Sequence, residues 1–428
     1  MLITLLISML WLCLSGLIYI IIRKKKINLS LRQIMVFFAC KIIAGELYGY
    51  IYGRYYHGDD TWGLNHDGLI QYKKLMGTPL LFIKEIFSAN PYPSDNSYYF
   101  QPNGGYLQNL EYCIVTKAIS FFDIISQGNY YINIVFFNFF SFWGVYLLYK
   151  LVAERLTFSG RQFAAAVLFL FPPGMFWLGG LRAEGLLIFF TGILLYYFKQ
   201  WLQQRRFADL LLCAAGFAMD FILRDGFAAS LVPVLLAWWL AVSYKANTKR
   251  RFVIVYCILL VAIITSSVFL PEKFNILSAV AGRQHEFFTL KGNTRFNLTP
   301  LDGTVTSFIK VLPESLINTF IRPFPWEAKG MLQWFAVIEN ICILLLATIS
   351  VAWFGRGSTV IFTNPLFWVL LIAGISNYII IGYVVPFPGA IIRYKAIPEL
   401  LIVGICTMFI AKEIPLRKNY LTTASLHI

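Results

Sequence analysis

The chain has 428 residues, 58% of them hydrophobic and only 13% charged, with a formal net charge of +15. A soluble protein of this length carries roughly 25% charged residues, so a soluble globular enzyme is excluded. Apolar runs near 20 residues exclude a membrane β-barrel, whose strands alternate, and basic residues scattered between those runs exclude a nucleic-acid-binding face.

The expected class is an all-α polytopic integral membrane protein, with residues 1–428 forming a single transmembrane domain. About eleven spans are predicted at 2–22, 31–53, 130–149, 162–180, 184–201, 207–223, 226–243, 252–270, 331–354, 365–385 and 396–411. The short ones around Gly216 and Pro233 are also compatible with a merged or re-entrant segment. The first run is followed, not preceded, by its positive cluster (Arg23, Lys24, Lys25, Lys26) and shows no small-residue cleavage site. It reads as a retained helix with its N-terminus outside.

The short segments that would then face inward all carry positive charge. They contain Arg23 to Lys26 with Arg32, Arg155 with Arg161, Arg205 with Arg206, Lys245 with Lys249 to Arg251, Arg356, and Lys412 with Arg417 and Lys418. This alternation puts the C-terminus inside and two long segments, about 54–129 and 271–330, outside. Apolar residues at helical spacing in both segments predict interfacial helices, two of them in the first. Six of the seven cysteines fall in apolar runs and Cys113 in the first outer segment; there is no C-x-x-C.

The first outer segment opens with HGDDTWGLNHDGLIQY, residues 57–72, where Asp59, Asp60, Asp67, His57 and His66 crowd together in a chain otherwise poor in charge. Carboxylates at a membrane exit suit general-base work on a sugar hydroxyl, with Asp59 and Asp60 ahead of Asp67. Asp60 with His66 is also a candidate pair for a divalent metal, magnesium or manganese, which the chemistry does not demand. The competing reading makes Gly58-Asp59-Asp60 a solvated turn and Asn65-His66-Asp67 the cap of a following helix.

Cations stand at the outward ends of later spans: Arg182 in GGLRAEG, Arg224 in FILRDGF, and Arg393 with Lys395 in GAIIRYKAIPE. Arg322 in FIRPFPWE joins them from the second outer segment. Gathered at one cavity mouth they would bind phosphate; the competing role is snorkelling to lipid headgroups. Asp220 and Arg224, four apart, are expected to pair, and Glu184 and Asp225 to pair with the arginines beside them. Trp326 and Glu327 read as packing plus a helix cap. Lys41, Glu46 and Glu339 are expected to face the bundle interior. No G-x-x-x-x-G-K-[ST] and no strand-bounded G-x-G-x-x-G occurs, so a lipid-phosphate donor fits better than a nucleotide.

With many spans, an acidic motif just after an early helix and cations at outer helix ends, the chain resembles the GT-C superfamily of membrane glycosyltransferases. Within it, the chain resembles in particular bacterial relatives of the dolichyl-phosphate-mannose mannosyltransferases. The resemblance implies that Asp59 or Asp60 matches the family's loop acid, and that Arg182, Arg224 and Arg393 contact phosphate. Two departures are an extra leading helix and the lack of a large C-terminal soluble domain. The segments LGGLRAEGLLIFFTGILLYYF, IRPFPWEA and GAIIRYKAIPE also look like pieces of bacterial membrane proteins from surface-polysaccharide gene sets.

The expectation is a glycosyltransferase on the outer face of a bacterial inner membrane, working in cell-envelope polysaccharide biosynthesis. It would move a sugar from a polyprenyl-phosphate donor to a glycan, lipid or protein acceptor. The alternatives are a polysaccharide polymerase or ligase acting on lipid-diphosphate glycans, and a lipid-linked glycan flippase or transporter, for which no inverted repeat is evident.

Overall fold

The computed structural model describes residues 2–25, 27–56, 59–88, 106–244, 247–290, 295–352 and 358–411, without the side chains of residues 59, 87, 88, 273 and 358–360. Its regular elements are helices throughout. They are α1 (Leu2–Ile22), α2 (Leu31–Tyr55), α3 (Asp59–Gly77), α4 (Pro79–Ser88), α5 (Tyr106–Ser126), α6 (Tyr130–Ala153), α7 (Phe158–Leu170), α8 (Pro172–Phe176) and α9 (Ala183–Gln204). The second half contains α10 (Phe207–Leu223), α11 (Asp225–Ser243), α12 (Thr248–Phe269), α13 (Ile276–Thr289), α14 (Val305–Phe320), α15 (Met331–Ala352), α16 (Pro365–Val384) and α17 (Pro388–Ile410).

Eight of these, α1, α2, α6, α9, α11, α12, α15 and α16, are long and apolar enough to cross a membrane, so the chain is a polytopic helical membrane protein. Of the three remaining predicted spans, one is interrupted, and the other two lie in the apolar helices α10 and α17. Pro172 and Pro173 divide 162–180 into α7 and the short α8, because proline removes a backbone donor and clashes with the preceding turn. Residues 207–223 form α10, which is apolar but 17 residues long. Residues 396–411 continue an earlier helical stretch as the single helix α17, which carries Arg393, Lys395 and Glu399.

Local chemistry sets several boundaries. The Ser30 side chain accepts from the Gln33 amide while Gln33 accepts from the Ser30 amide, a reciprocal cap that starts α2. Asn129, Asn247 and Asn364 cap α6, α12 and α16 from one side only, each side chain accepting from a backbone amide of the first turn. α9 ends where Arg205 turns left-handed, at φ 54°.

The bundle centre is α6, 72% buried over its most apolar window, whereas α1 and α12 are 17% buried and present apolar surface outward. Small residues let helices approach: a Cβ on Gly144 of α6 would lie 2.3 Å from the Ile188 carbonyl oxygen of α9, and one on Gly192 would lie 2.7 Å from that of Gly144.

Side-chain contacts fix the direction of each crossing. Gln33 bonds Gln162, Lys41 donates to the Gly174 carbonyl at 3.0 Å, and Asp60 meets Arg182, so 158–182 runs beside α2 in the same sense. α9 returns with Lys199 on Glu154, and α10 comes back through Thr191–Asp220 to Glu184–Arg224. The helix ends therefore sort into two groups. One end gathers Arg23, Lys24, Lys25, Arg32, Arg155, Arg161, Arg205, Arg206 and Lys249 to Arg251. The other holds the described parts of both long segments, including α3 to α5 and α13 to α14, with Gln284 of α13 donating to the Tyr383 carbonyl at 2.8 Å.

In the first long segment three helices stand where two were expected. Asp59 and Asp60 open α3 instead of lying in a loop, and Asn65, His66 and Asp67 sit within the helix instead of capping it. Two adjacent acids in a first turn suit the positive end of the helix dipole, which favours the helical start over the turn. Cys113 is buried in α5.

Candidate functional site

The site is built on the start of α9. Arg182 occupies the position before that helix and Glu184 its first turn. The segment leading there is pressed against α2, where a Cβ on Gly45 would lie 2.6 Å from the Gly179 carbonyl oxygen. Backbone packing of this kind leaves little room for Arg182 to shift, and the residue is 5% exposed.

Asp60 reaches Arg182 from the start of α3, its Oδ2 accepting from Nη1 at 3.0 Å. Its two neighbours hold it there. Thr61 shares a 2.8 Å hydrogen bond with the Tyr130 hydroxyl, and Trp62 stacks on the Tyr130 ring at 4.2 Å. The Trp62 indole N–H also donates to the Gly49 carbonyl at 3.0 Å. Asp60 is thus fixed by its partners while its side chain stays 52% exposed and reachable from outside the bundle.

Two residues beyond Arg182, a chain distance of at most about 7 Å, Glu184 gathers two further cations. Its Oε1 accepts from Nη2 of Arg224 at 3.1 Å and lies 3.4 Å from Nε of Arg393. Tyr394 sits under both guanidinium groups, 4.1 Å from Arg224 and 5.2 Å from Arg393. Glu184 is 4% exposed. The expected pair of Asp220 with Arg224 does not form. α10 stops at Leu223, Arg224 leaves the helix at φ −161°, and its side chain swings to α9. Asp220 is buried and accepts from Thr191 instead. Glu184 likewise pairs across helices and not with its neighbour Arg182.

Glu111 of α5 is a group at this site that the sequence did not single out. Burial pushes its carboxyl up to about 7 from the ordinary 4.5, against the opposing pull of the Arg224 guanidinium, with Glu184, Arg283 and Asp225 also within electrostatic reach. The signal available beforehand was a lone acid within the apolar stretch 106–125.

The other candidates lie elsewhere or point elsewhere. Asp67 is buried and accepts from the Tyr112 hydroxyl, joining α3 to α5. Arg322 is held by Glu327 at 3.2 Å and Asn318 at 3.1 Å, over the Phe296 ring. Lys395 is 1% exposed, pairs with Glu399 at 3.0 Å and bonds Asn340, on the side of α17 that faces α15. Glu339 accepts from the Trp177 indole at 3.3 Å, Lys41 is buried as expected, and Glu46 is half-buried. Trp326 stacks on Phe324, and Glu327 accepts from the Phe324 amide. His57 and the Asp59 side chain lie outside the described residues.

The metal expectation finds little support in this geometry. Asp60 and His66 are six residues apart on α3, hence about 120° apart around the helix. No third His, Cys, Asp or Glu joins them in a metal-binding group among the described residues.

The fold and this cluster define a class: a polytopic helical membrane protein with three arginines and two carboxylates gathered at one end of the bundle. No family model matches the chain, and no curated protein or solved structure matches it either.

Proposed function

We propose that the protein is a membrane glycosyltransferase that takes its sugar from a polyprenyl-phosphate donor and passes it to a glycan, lipid or protein hydroxyl. The observation that carries this reading is the meeting of Asp60, Arg182, Glu184, Arg224 and Arg393 at one bundle end. Arginines far apart in sequence converge there, beside an accessible carboxylate, in a chain without a nucleotide-binding motif. The end opposite the cluster is the basic one, which the positive-inside rule reads as cytoplasmic. The site then faces the outer side of a bacterial inner membrane, where surface polysaccharide is assembled from lipid-linked sugars.

In this reading Arg224 and Arg393 hold the donor phosphate, and the polyprenyl chain remains in the bilayer. Asp60, oriented by Arg182, takes the proton of the acceptor hydroxyl as that oxygen bonds the anomeric carbon. The bond from that carbon to the phosphate oxygen breaks, its electron pair stays with the phosphate, and the arginines stabilise the charge that develops. Attack from the side opposite the phosphate inverts the anomeric centre.

Transfer of labelled sugar from a polyprenyl-phosphate donor by the protein in membranes tests the proposal. Asp60→Asn and Arg393→Ala are each expected to lower the rate by about 10²-fold or more. Full activity in Asp60→Asn removes the proposed base. If Arg393→Ala alone abolishes activity, the assignment moves to a polymerase or ligase that works through arginine.

A further inference from the structure

We propose that a groove between α1 and α2 holds one anionic phospholipid, its acyl chain in the groove and its phosphate on Arg32. The site stands apart from the transferase reading and lies at the opposite, basic end of the bundle.

The groove follows from spacing on α2. Arg32, Met35, Val36, Ala39 and Cys40 recur at intervals of three and four, so they share one face of the helix. Trp11 closes the groove from α1, and its indole N–H donates to the Met35 carbonyl at 3.1 Å, which fixes the ring in place. Ala39 and Cys40 bring little side-chain bulk to the deep end. The result is a cavity of about 500 Å³ lined almost wholly by apolar atoms.

Its length matches one leaflet. Cys40 lies eight residues beyond Arg32, about 12 Å along the helix axis. Half of a bilayer's hydrocarbon core is about 15 Å thick. A groove that starts at the cation and runs nearly to the midplane suits an acyl chain of that leaflet and is too short for a crossing helix.

Charge at the mouth selects the headgroup. Arg32 stands in the first turn of α2, and Arg23, Lys24 and Lys25 lie in the connection that follows α1. No acid occurs before Glu46, so the helix pair brings no counter-charge of its own to this end. Glu154, at the same end, is taken by Lys199. Arg32 is exposed and enters no ion pair or hydrogen bond among the described residues. A guanidinium at the rim of an apolar slot can take a phosphodiester by two parallel hydrogen bonds while the chain below stays in hydrocarbon. A zwitterionic lipid is disfavoured, because its own ammonium group meets these cations. The bound lipid would also tie α1, only 17% buried over its most apolar window, to the rest of the bundle.

Native mass spectrometry of the full chain, purified in mixed micelles with equal amounts of phosphatidylglycerol and phosphatidylcholine of the same chain length, reads which lipid stays bound. The wild type is expected to retain one phosphatidylglycerol in preference to phosphatidylcholine by about 10-fold or more, the range of a single charge-assisted contact. Arg32→Gln is expected to abolish that preference. Ala39→Phe puts a ring in the groove and leaves the cation, so it is expected to lower retention of both lipids. Arg206→Gln, at the same end but outside the groove, and Arg224→Ala with Arg393→Ala, at the other end, are expected to keep the wild-type preference. A wild type without preference, or an Arg32→Gln protein that keeps it, overturns the proposal. So does an equal loss in Arg206→Gln, which marks a diffuse basic surface, or a loss in the double variant, which places the lipid at the other end. Undiminished retention in Ala39→Phe overturns the groove as the seat of the chain. If that variant does not fold, the exposed Arg32→Gln decides.

Discussion

Glu184→Gln removes the negative charge that two guanidinium groups share. In the wild type one carboxylate oxygen lies 3.1 Å from Arg224 and 3.4 Å from Arg393. The Glu184 side chain is 5% exposed, and those of Arg224 and Arg393 are 25% and 15% exposed. Removing one partner of a fully buried pair costs about 3–5 kcal/mol, and an exposed pair contributes about 0.2–1 kcal/mol. The partial exposure of the arginines and the cushioning Tyr394 ring place the loss between these limits, at about 3 kcal/mol. Unfolding of the purified protein in mixed micelles, followed by tryptophan fluorescence, measures it. Diphosphate in the buffer is expected to restore more stability to the variant than to the wild type, because an anion then replaces the missing carboxylate between the guanidinium groups. Arg393→Ala added to Glu184→Gln should recover part of the loss. A variant within about 0.5 kcal/mol of the wild type, or one that diphosphate stabilises no more than the wild type, refutes the argument that Glu184 holds these two cations together.

Other consequences follow from packing and charge. Lys395→Met leaves the fully enclosed Glu399 without its ammonium partner and is expected to cost about 3–5 kcal/mol, with Glu399→Leu in the same chain recovering most of it; the same unfolding assay reads both. Gly144→Ala sets a methyl group against the α9 backbone and is expected to cost about 1–3 kcal/mol, whereas Gly16→Ala on α1, where no heavy atom lies within 4 Å, should be neutral.

The sequence made the bundle legible because a bilayer imposes its own length and its own charge rule. Runs near 20 residues marked the crossings, and counting crossings set Arg182, Arg224 and Arg393 at the same end before any contact was known. What escaped depends on where individual helices stop. Asp220 and Arg224 have the spacing of a helical pair, yet the helix ends between them and Arg224 turns to a different partner. Asp59 and Asp60 follow a glycine and read as a turn, although acids in a first turn serve a helix start equally well. Arg322 and Lys395 carry the same signal as Arg393, a cation near a helix end. Their separate partners, Glu327 and Glu399, are matters of side-chain direction that spacing does not encode. Glu111 was hidden for a further reason: its neighbours are 73 and 113 positions away at Glu184 and Arg224, so its environment exists only in the folded chain.

Binding of a polyprenyl phosphate to the purified protein, read by native mass spectrometry, tests the central claim most directly. One lipid phosphate per chain is expected on the wild type. Arg224→Ala with Arg393→Ala should weaken it by about 10²–10⁴-fold, since each charge-assisted contact contributes about 1.5–3 kcal/mol. Undiminished binding in the double variant, or none in the wild type, contradicts the assignment of these arginines to a lipid-phosphate donor.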